Sequence, residues 1–246
     1  MRIRTVAVLA AVGVTLLAPA SYSAAAQRPA TEANAPGAAS TRGGEGTVRA
    51  ADLLAATRTC TEISHGKYRT DDGKRAVVPV CGTRDTVFWT ADMDIDCDGR
   101  PTTACNRRTD LLFLHTTAFQ QSDGRHLAAE HLPYVVVPGP SHRWNHTRHG
   151  VTGGTVAAVV HGDKVQYAVV GDTGPVDLIG EASYATAQAL GIPPDPRSGG
   201  TAADVTYIFF KGSQAVPIES HRAAVDRGEA LARQFVRGEQ GVSSLG

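Results

Sequence analysis

Short apolar runs rich in Val, Tyr, Phe and Ile recur over 76–80, 86–90, 111–114, 134–137, 155–160, 165–170 and 205–210. Each is bounded by Gly, Pro, Asp or Asn, the punctuation expected between β-strands. His161-Gly162-Asp163-Lys164 separates two of these runs, and Gly162-Asp163 suits a tight hairpin turn. Helical spacing is confined to three places. Residues 50–59 place Leu53 and Leu54 among alanines. Residues 181–190 stop at Gly191, with Pro193 and Pro194 beyond. Residues 222–236 carry a stripe of Ala223, Val225, Ala230, Leu231 and Phe235. Seven short strands and few helices predict a mainly β fold: a single-domain β-barrel with a few short helices.

The N-terminus changes this picture by shortening the part that folds. Arg2 and Arg4 precede an apolar run over 6–17, and Ser23-Ala24-Ala25-Ala26 closes it, which reads as a secretory signal peptide over 1–26. The run is too short, and too soon followed by Pro19 and Ser21, to read as a membrane span. Residues 27–47 are Ala, Pro, Gly, Thr and Ser with little apolar to bury, a flexible leader. About 200 residues from Val48 to the end are left for one domain with a real core. The whole chain has 24 basic and 24 acidic residues, and without Arg2 and Arg4 the balance is weakly acidic. Neither the basic excess nor the stripe of a nucleic-acid binder is present. An exported, extracellular protein with no nucleic-acid or membrane partner is expected, with a monomer as the default.

Four cysteines, Cys60, Cys81, Cys97 and Cys105, fall in the first half of the folded region. An even number in an exported chain favours disulfides. Three pairings are open; Cys60–Cys81 with Cys97–Cys105 is favoured because each closes a short local loop. A zinc site lacks both a C-x-x-C pair and an adjacent His.

Asp92-Met93-Asp94-Ile95-Asp96-Cys97-Asp98-Gly99 is the least ordinary stretch. If extended, its period of two puts the four aspartates on one face and Met93, Ile95 and Cys97 on the other. Four neighbouring carboxylates repel one another, so a metal, basic side chains or a cationic ligand must compensate. Asp94-x-Asp96-x-Asp98-Gly99 matches the first half of an EF-hand loop, but Cys105 stands where the bidentate Glu belongs and no helical pattern flanks it. A differently built calcium site, a solvated acidic loop and a subsite for a cationic substrate stay open, with Arg107 and Arg108 as nearby neutralising groups.

A second acidic pair lies further on. Asp172 ends an apolar run in Val169-Val170-Gly171-Asp172-Thr173-Gly174-Pro175, and Glu181 opens the helix predicted over 181–190. Two carboxyl groups sharing a cleft are what glycoside hydrolysis needs, one protonated and one ionised. Apolar neighbours raise a carboxyl pKa, whereas a helix N-terminus favours the anion. That reasoning makes Asp172 the acid and Glu181 the base. The same residues also fit ordinary turn and capping chemistry.

Taken together, the Asp92–Asp98 run, Gly171-Asp172-Thr173-Gly174-Pro175 and Ile179-Gly180-Glu181-Ala182-Ser183 resemble glycoside hydrolase family 75, the fungal-type chitosanases, over about residues 60–210. The resemblance implies an endo-acting hydrolase of β-1,4 glucosamine links in chitosan or chito-oligosaccharides, working with inversion and no metal cofactor. Its essential aspartate and glutamate fall on Asp172 and Glu181. It also gives Asp92, Asp94, Asp96 and Asp98 a role as subsites for a polycation, with Trp89 as a sugar-stacking platform. Double-psi barrel hydrolases, in which a catalytic Asp ends a strand, offer an analogy for the fold.

Other constellations are weaker. Ser183 lacks the second Gly of a nucleophile elbow. His142, His146 and His149 flank Trp144, but Gly139-Pro140 and Gly150 mark that stretch as a loop, where a His or Trp144 is open to contact with sugar. The competing readings are a calcium-dependent carbohydrate-binding module, with Asp172 and Glu181 structural, and a hydrolase of another cell-wall polysaccharide.

Overall fold

The computed structural model describes residues 44–243. The signal peptide read over 1–26 and the leader up to residue 43 lie outside the described residues. Apolar runs that alternate between two buried faces form strands β1 (Cys81–Gly82), β2 (Thr86–Asp96), β3 (Tyr134–Pro138), β4 (Val156–His161), β5 (Lys164–Gly174), β6 (Glu181–Ser183) and β7 (Thr201–Phe210). The sheet order is β1-β2-β6-β3-β5-β4-β7, and β2 also pairs with β7. Six strands therefore close into a barrel, with β1 added outside on β2. The β2–β6 and β3–β5 pairs are parallel, and the rest are antiparallel.

Closure explains why the strands read as nearly continuous apolar runs. Val87, Trp89, Met93, Val135, Val159 and Phe209 belong to one buried cluster inside the barrel. Their neighbours Phe88, Val136, Val160 and Phe210 join a second cluster with Leu53, Ala224, Ala232 and Phe235 from the helices. The helices α1 (Ala50–Ala56) and α3 (His221–Ser243) therefore cover part of the outer wall. The expected hairpin forms, with His161 opposite Lys164 and Gly162 at φ +60°.

Several sequence expectations need correction. Residues 76–80 form no strand; Val78 makes a single bridge to Tyr68. Residues 111–114 also form none. Leu111 and Leu112 are exposed, and the N–H groups of Leu112 and Leu114 donate to Asp110 and Asp98 instead of to a neighbouring strand. The helix expected from Glu181 begins three residues later, as α2 (Tyr184–Leu190), with Ser183 as its N-cap and Gly191 at φ +75° as its C-cap. The first turn is spent as strand because 181–183 fills the gap between β2 and β3. Finally, the last residues of the supposed flexible leader are held in place: Gly44 bridges Val165, and Glu45 accepts hydrogen bonds from Tyr167 N and Gln166 Nε2.

Both favoured disulfides are present, Cys60–Cys81 and Cys97–Cys105. No helix among the described residues is long and apolar enough to cross a membrane.

Candidate active site

Strand register brings the two acidic motifs together. Asp94 on β2 lies opposite Glu181 on β6, Glu181 lies opposite Val136 on β3, and Val136 lies opposite Asp172 on β5. Four adjacent strands thus carry the row Asp94, Glu181, Val136, Asp172. Met93, Val135, Val137 and Ala182 belong to the interior cluster, so alternation turns the row to the outer face. A register shift between Val135 and Val136, at Gly171, keeps Asp172 on that face. Asp172 and Glu181 stand two strand spacings apart, roughly 9.5 Å from backbone to backbone across the sheet. Asp172 lies inside β5, not at its end.

Glycines let these acids pack. A Cβ on Gly174 would come within 3.2 Å of Glu181 Oε2, so the glutamate carboxylate leans across β3 towards the end of β5. A Cβ on Gly180, at φ +109°, would fall 2.0 Å from Asp92 Oδ1. The same glycine's carbonyl accepts from Asp94 N at 2.7 Å. The residue before Glu181 is therefore pinned to the acidic strand from both sides.

The two acids have different surroundings. Asp172 is 8 % exposed, and its Oδ1 accepts from Ala118 N and Thr173 N, both at 2.7 Å. Burial raises its pKa, while these N–H groups and His126 pull it back towards the anion. Among the described residues no hydrogen bond reaches the Glu181 carboxylate. Burial first, then the charges of Asp94, Asp172, Asp98 and Asp110, push it up to about 8. Asp96, 6 % exposed, is driven well above the usual range by burial and by Glu181 and Asp172.

A cleft of about 340 Å³ is lined by Asp94, Asp96, Asp98, Asp110 and Glu181, with Leu112 and Arg197 on its walls. Asp172 does not line it and lies one strand beyond Val136. Arg197 reaches across to the backbone carbonyl of Arg108. Asp96 accepts from Asp98 N at 2.6 Å and Asp98 from Leu114 N at 2.7 Å, so both also brace the loop closed by Cys97–Cys105.

Other expected site residues lie elsewhere. Trp89 is 1 % exposed inside the barrel, edge-on to Trp144 and stacked near Phe209, so neither tryptophan offers a platform to a ligand. Asp92 is 5 % exposed and lies under Gly180, outside the lining of the cleft. His146 and His149 bond to the carbonyls of Val151 and Asn145 and do not converge on a common point. Among the described residues, Arg107 and Arg108 form no ion pair with the acidic run. Sequence reasoning missed the donor Ala118 and the acid Asp110, which lie in irregular segments without a motif. It also missed Asp71, whose carboxylate meets those of Asp92 and Asp94.

An outward-facing row of carboxyl groups on a closed barrel thus stands beside an acidic cleft. A family model described as fungal chitosanase of glycosyl hydrolase group 75 matches residues 93–237, and the chain belongs to that family. It is 32 % identical over 167 residues to an endo-chitosanase of Aspergillus oryzae, covering 63 % of this chain and 65 % of that protein. It is 34 % identical to endo-chitosanase B of the same species, covering 52 % and 57 %. An endo-chitosanase of Aspergillus fumigatus is also 34 % identical, with 51 % and 56 % covered. The chain thus spans between about half and two thirds of the length of these relatives.

Proposed function

We propose that the protein is an exported endo-acting chitosanase that cleaves β-1,4 glucosamine links with inversion, with Glu181 as general acid and Asp172 as general base. Family membership and the printed activity of the relatives support the substrate class. The two disulfides and the basic, apolar, small-residue N-terminus support export.

The observation that carries the mechanism is the contrast between the two acids. Glu181 sits among carboxylates without a donor, so it keeps its proton to higher pH; Asp172 holds two backbone N–H groups that favour its anion. The roles are the reverse of those expected from a helix N-terminus at Glu181, because the helix starts at Tyr184. In the reaction, Glu181 gives its proton to the glycosidic oxygen as the bond to the anomeric carbon breaks. Asp172 takes a proton from the water that attacks the opposite face. Inverting enzymes leave about 6.5–9.5 Å between the carboxyls for that water, and a separation of two strand spacings supports such a gap. Asp94, Asp96 and Asp98 supply negative charge along the cleft for the ammonium groups of the polymer.

The test is hydrolysis of soluble chitosan by the parent, Asp172→Asn and Glu181→Gln, followed by viscosity, reducing ends and the anomer first released. Each variant should lose about 10²–10⁴-fold in rate while remaining folded. The basic limb of the parent's pH profile should belong to Glu181 and the acidic limb to Asp172. Full activity in either folded variant would refute the assignment.

A further inference from the structure

Beyond the cleft-lining acids, one carboxylate cluster has no role in the chemistry above. Asp71, from the loop after Tyr68, meets Asp92 and Asp94 so that one carboxylate oxygen from each lies within 4.8 Å of the other two. Two observations set this cluster apart from a solvated acidic patch. Asp92 is 5 % exposed, and its Oδ1 is shielded from solvent without any hydrogen-bond partner. In addition, the groups that bear most on Asp92 and Asp94 are burial and other carboxylates; no basic side chain is among them. Arg69, the nearest cation in sequence, is committed to Asp177 and Asp72.

A cation would offset the mutual repulsion of these carboxylates. An ammonium group has three N–H donors, and three acceptors about 2.8 Å from a tetrahedral nitrogen lie about 4.6 Å apart. Three carboxylates that each present one oxygen within 4.8 Å of the other two offer an ammonium group one acceptor per N–H. A calcium ion asks for six to eight oxygens, so these three side chains would need bidentate binding and several waters to complete its shell. Asp94 is exposed and also lines the cleft beside Glu181, so the cluster opens where a bound polymer would run.

We infer that Asp71, Asp92 and Asp94 form a primary-ammonium subsite that holds the 2-amino group of one glucosamine unit at the end of the cleft. Asp71 would then be a specificity-determining residue for deacetylated units, since an N-acetyl group has lost two N–H donors and the charge. This rests on the chitosan reading for its ligand, so binding must be measured apart from turnover.

The experiment is calorimetric binding of a fully deacetylated glucosamine hexamer to Glu181→Gln, which leaves the ligand uncut, with and without Asp71→Asn. Asp71 is in a surface loop, and the change to Asn is isosteric. Loss of one charge-assisted contact should weaken Kd about tenfold, and Asp71→Glu should recover most of it. An N-acetylglucosamine hexamer should bind equally to both proteins. Unchanged Kd for the deacetylated hexamer overturns the inference. So does a calcium-dependent rise in the parent's Tm that Asp71→Asn abolishes, which would make the cluster a metal site. Asp71-dependent binding combined with no cleavage of chitosan by the parent would sink the hydrolase reading and leave the subsite standing.

Discussion

Gly180 is the joint between the acidic strand and Glu181, and replacing it with alanine tests whether that joint is as tight as the geometry demands. Its φ of +109° costs an L-residue about 1–3 kcal/mol. The new methyl would also sit 2.0 Å from Asp92 Oδ1 and 3.2 Å from Ala91 Cβ. Neither can yield freely, because both lie on β2 inside a closed sheet, so overpacking adds about 1–3 kcal/mol. A combined loss of about 2–6 kcal/mol corresponds to about 4–24 °C in Tm for a domain of this size. Gly124→Ala is the control: its φ is +81°, but a Cβ there would meet nothing within 4 Å, so only the backbone cost remains. Thermal unfolding of the two variants separates crowding from strain. Adding Asp92→Ser, which shortens the clashing side chain, should bring Gly180→Ala back towards the control in a double-mutant cycle. Equal Tm values for Gly180→Ala and Gly124→Ala, or strict additivity with Asp92→Ser, would refute the reasoning.

Two further outcomes follow from the same site. Glu181, Asp92 and Asp98 have pKa values raised by burial to about 8, 7 and 6, above the ordinary carboxylate value near 4. The folded protein therefore binds protons more tightly than the unfolded chain, and this stabilisation is complete below about pH 4 and lost as pH rises towards 8. Tm should fall between pH 5 and pH 8, and Asp92→Asn should flatten the slope; a Tm that rises across that interval contradicts the assignment. Replacing Cys97 and Cys105 together by serine opens a loop with a separation of 8 residues, costing about 2.5 kcal/mol by chain entropy. Because Asp98 braces that loop, urea unfolding should register the loss and KM for chitosan should rise more than kcat falls.

Most of the barrel was legible because its strands are buried on both faces, which leaves unbroken apolar runs such as 165–170 and 205–210. The two false strands show the limit of that signal. Residues 76–80 and 111–114 have the right composition, but the N–H groups of Leu112 and Leu114 go to Asp110 and Asp98, and those of Val77 and Val78 both go to the single carbonyl of Tyr68, so neither stretch builds a ladder. The disulfides were legible as local loops, and Asp172 and Glu181 as a pair. Their electrostatics were not, because Glu181's strand state depends on a gap between β2 and β3 that no local pattern records. Trp89 was misplaced for a related reason: on β2, alternation fixes its side, and only barrel closure tells which side is inside. Asp71 and Ala118 carry no motif and reach the site through tertiary packing alone.

The row Asp94, Glu181, Val136, Asp172 has a consequence for how such a site can change. Both acids are mounted on neighbours of the same strand, so a ladder of backbone hydrogen bonds acts as the ruler between them. The stretch that joins them along the chain, from Thr173 to Gly180, does not set the interval. Within that segment the exposed Pro175 and Val176 are free to diverge, reshaping the rim around a ligand, while Gly174 and Gly180 stay packed on Glu181 and Asp92 and the spacing of the two acids stays constant.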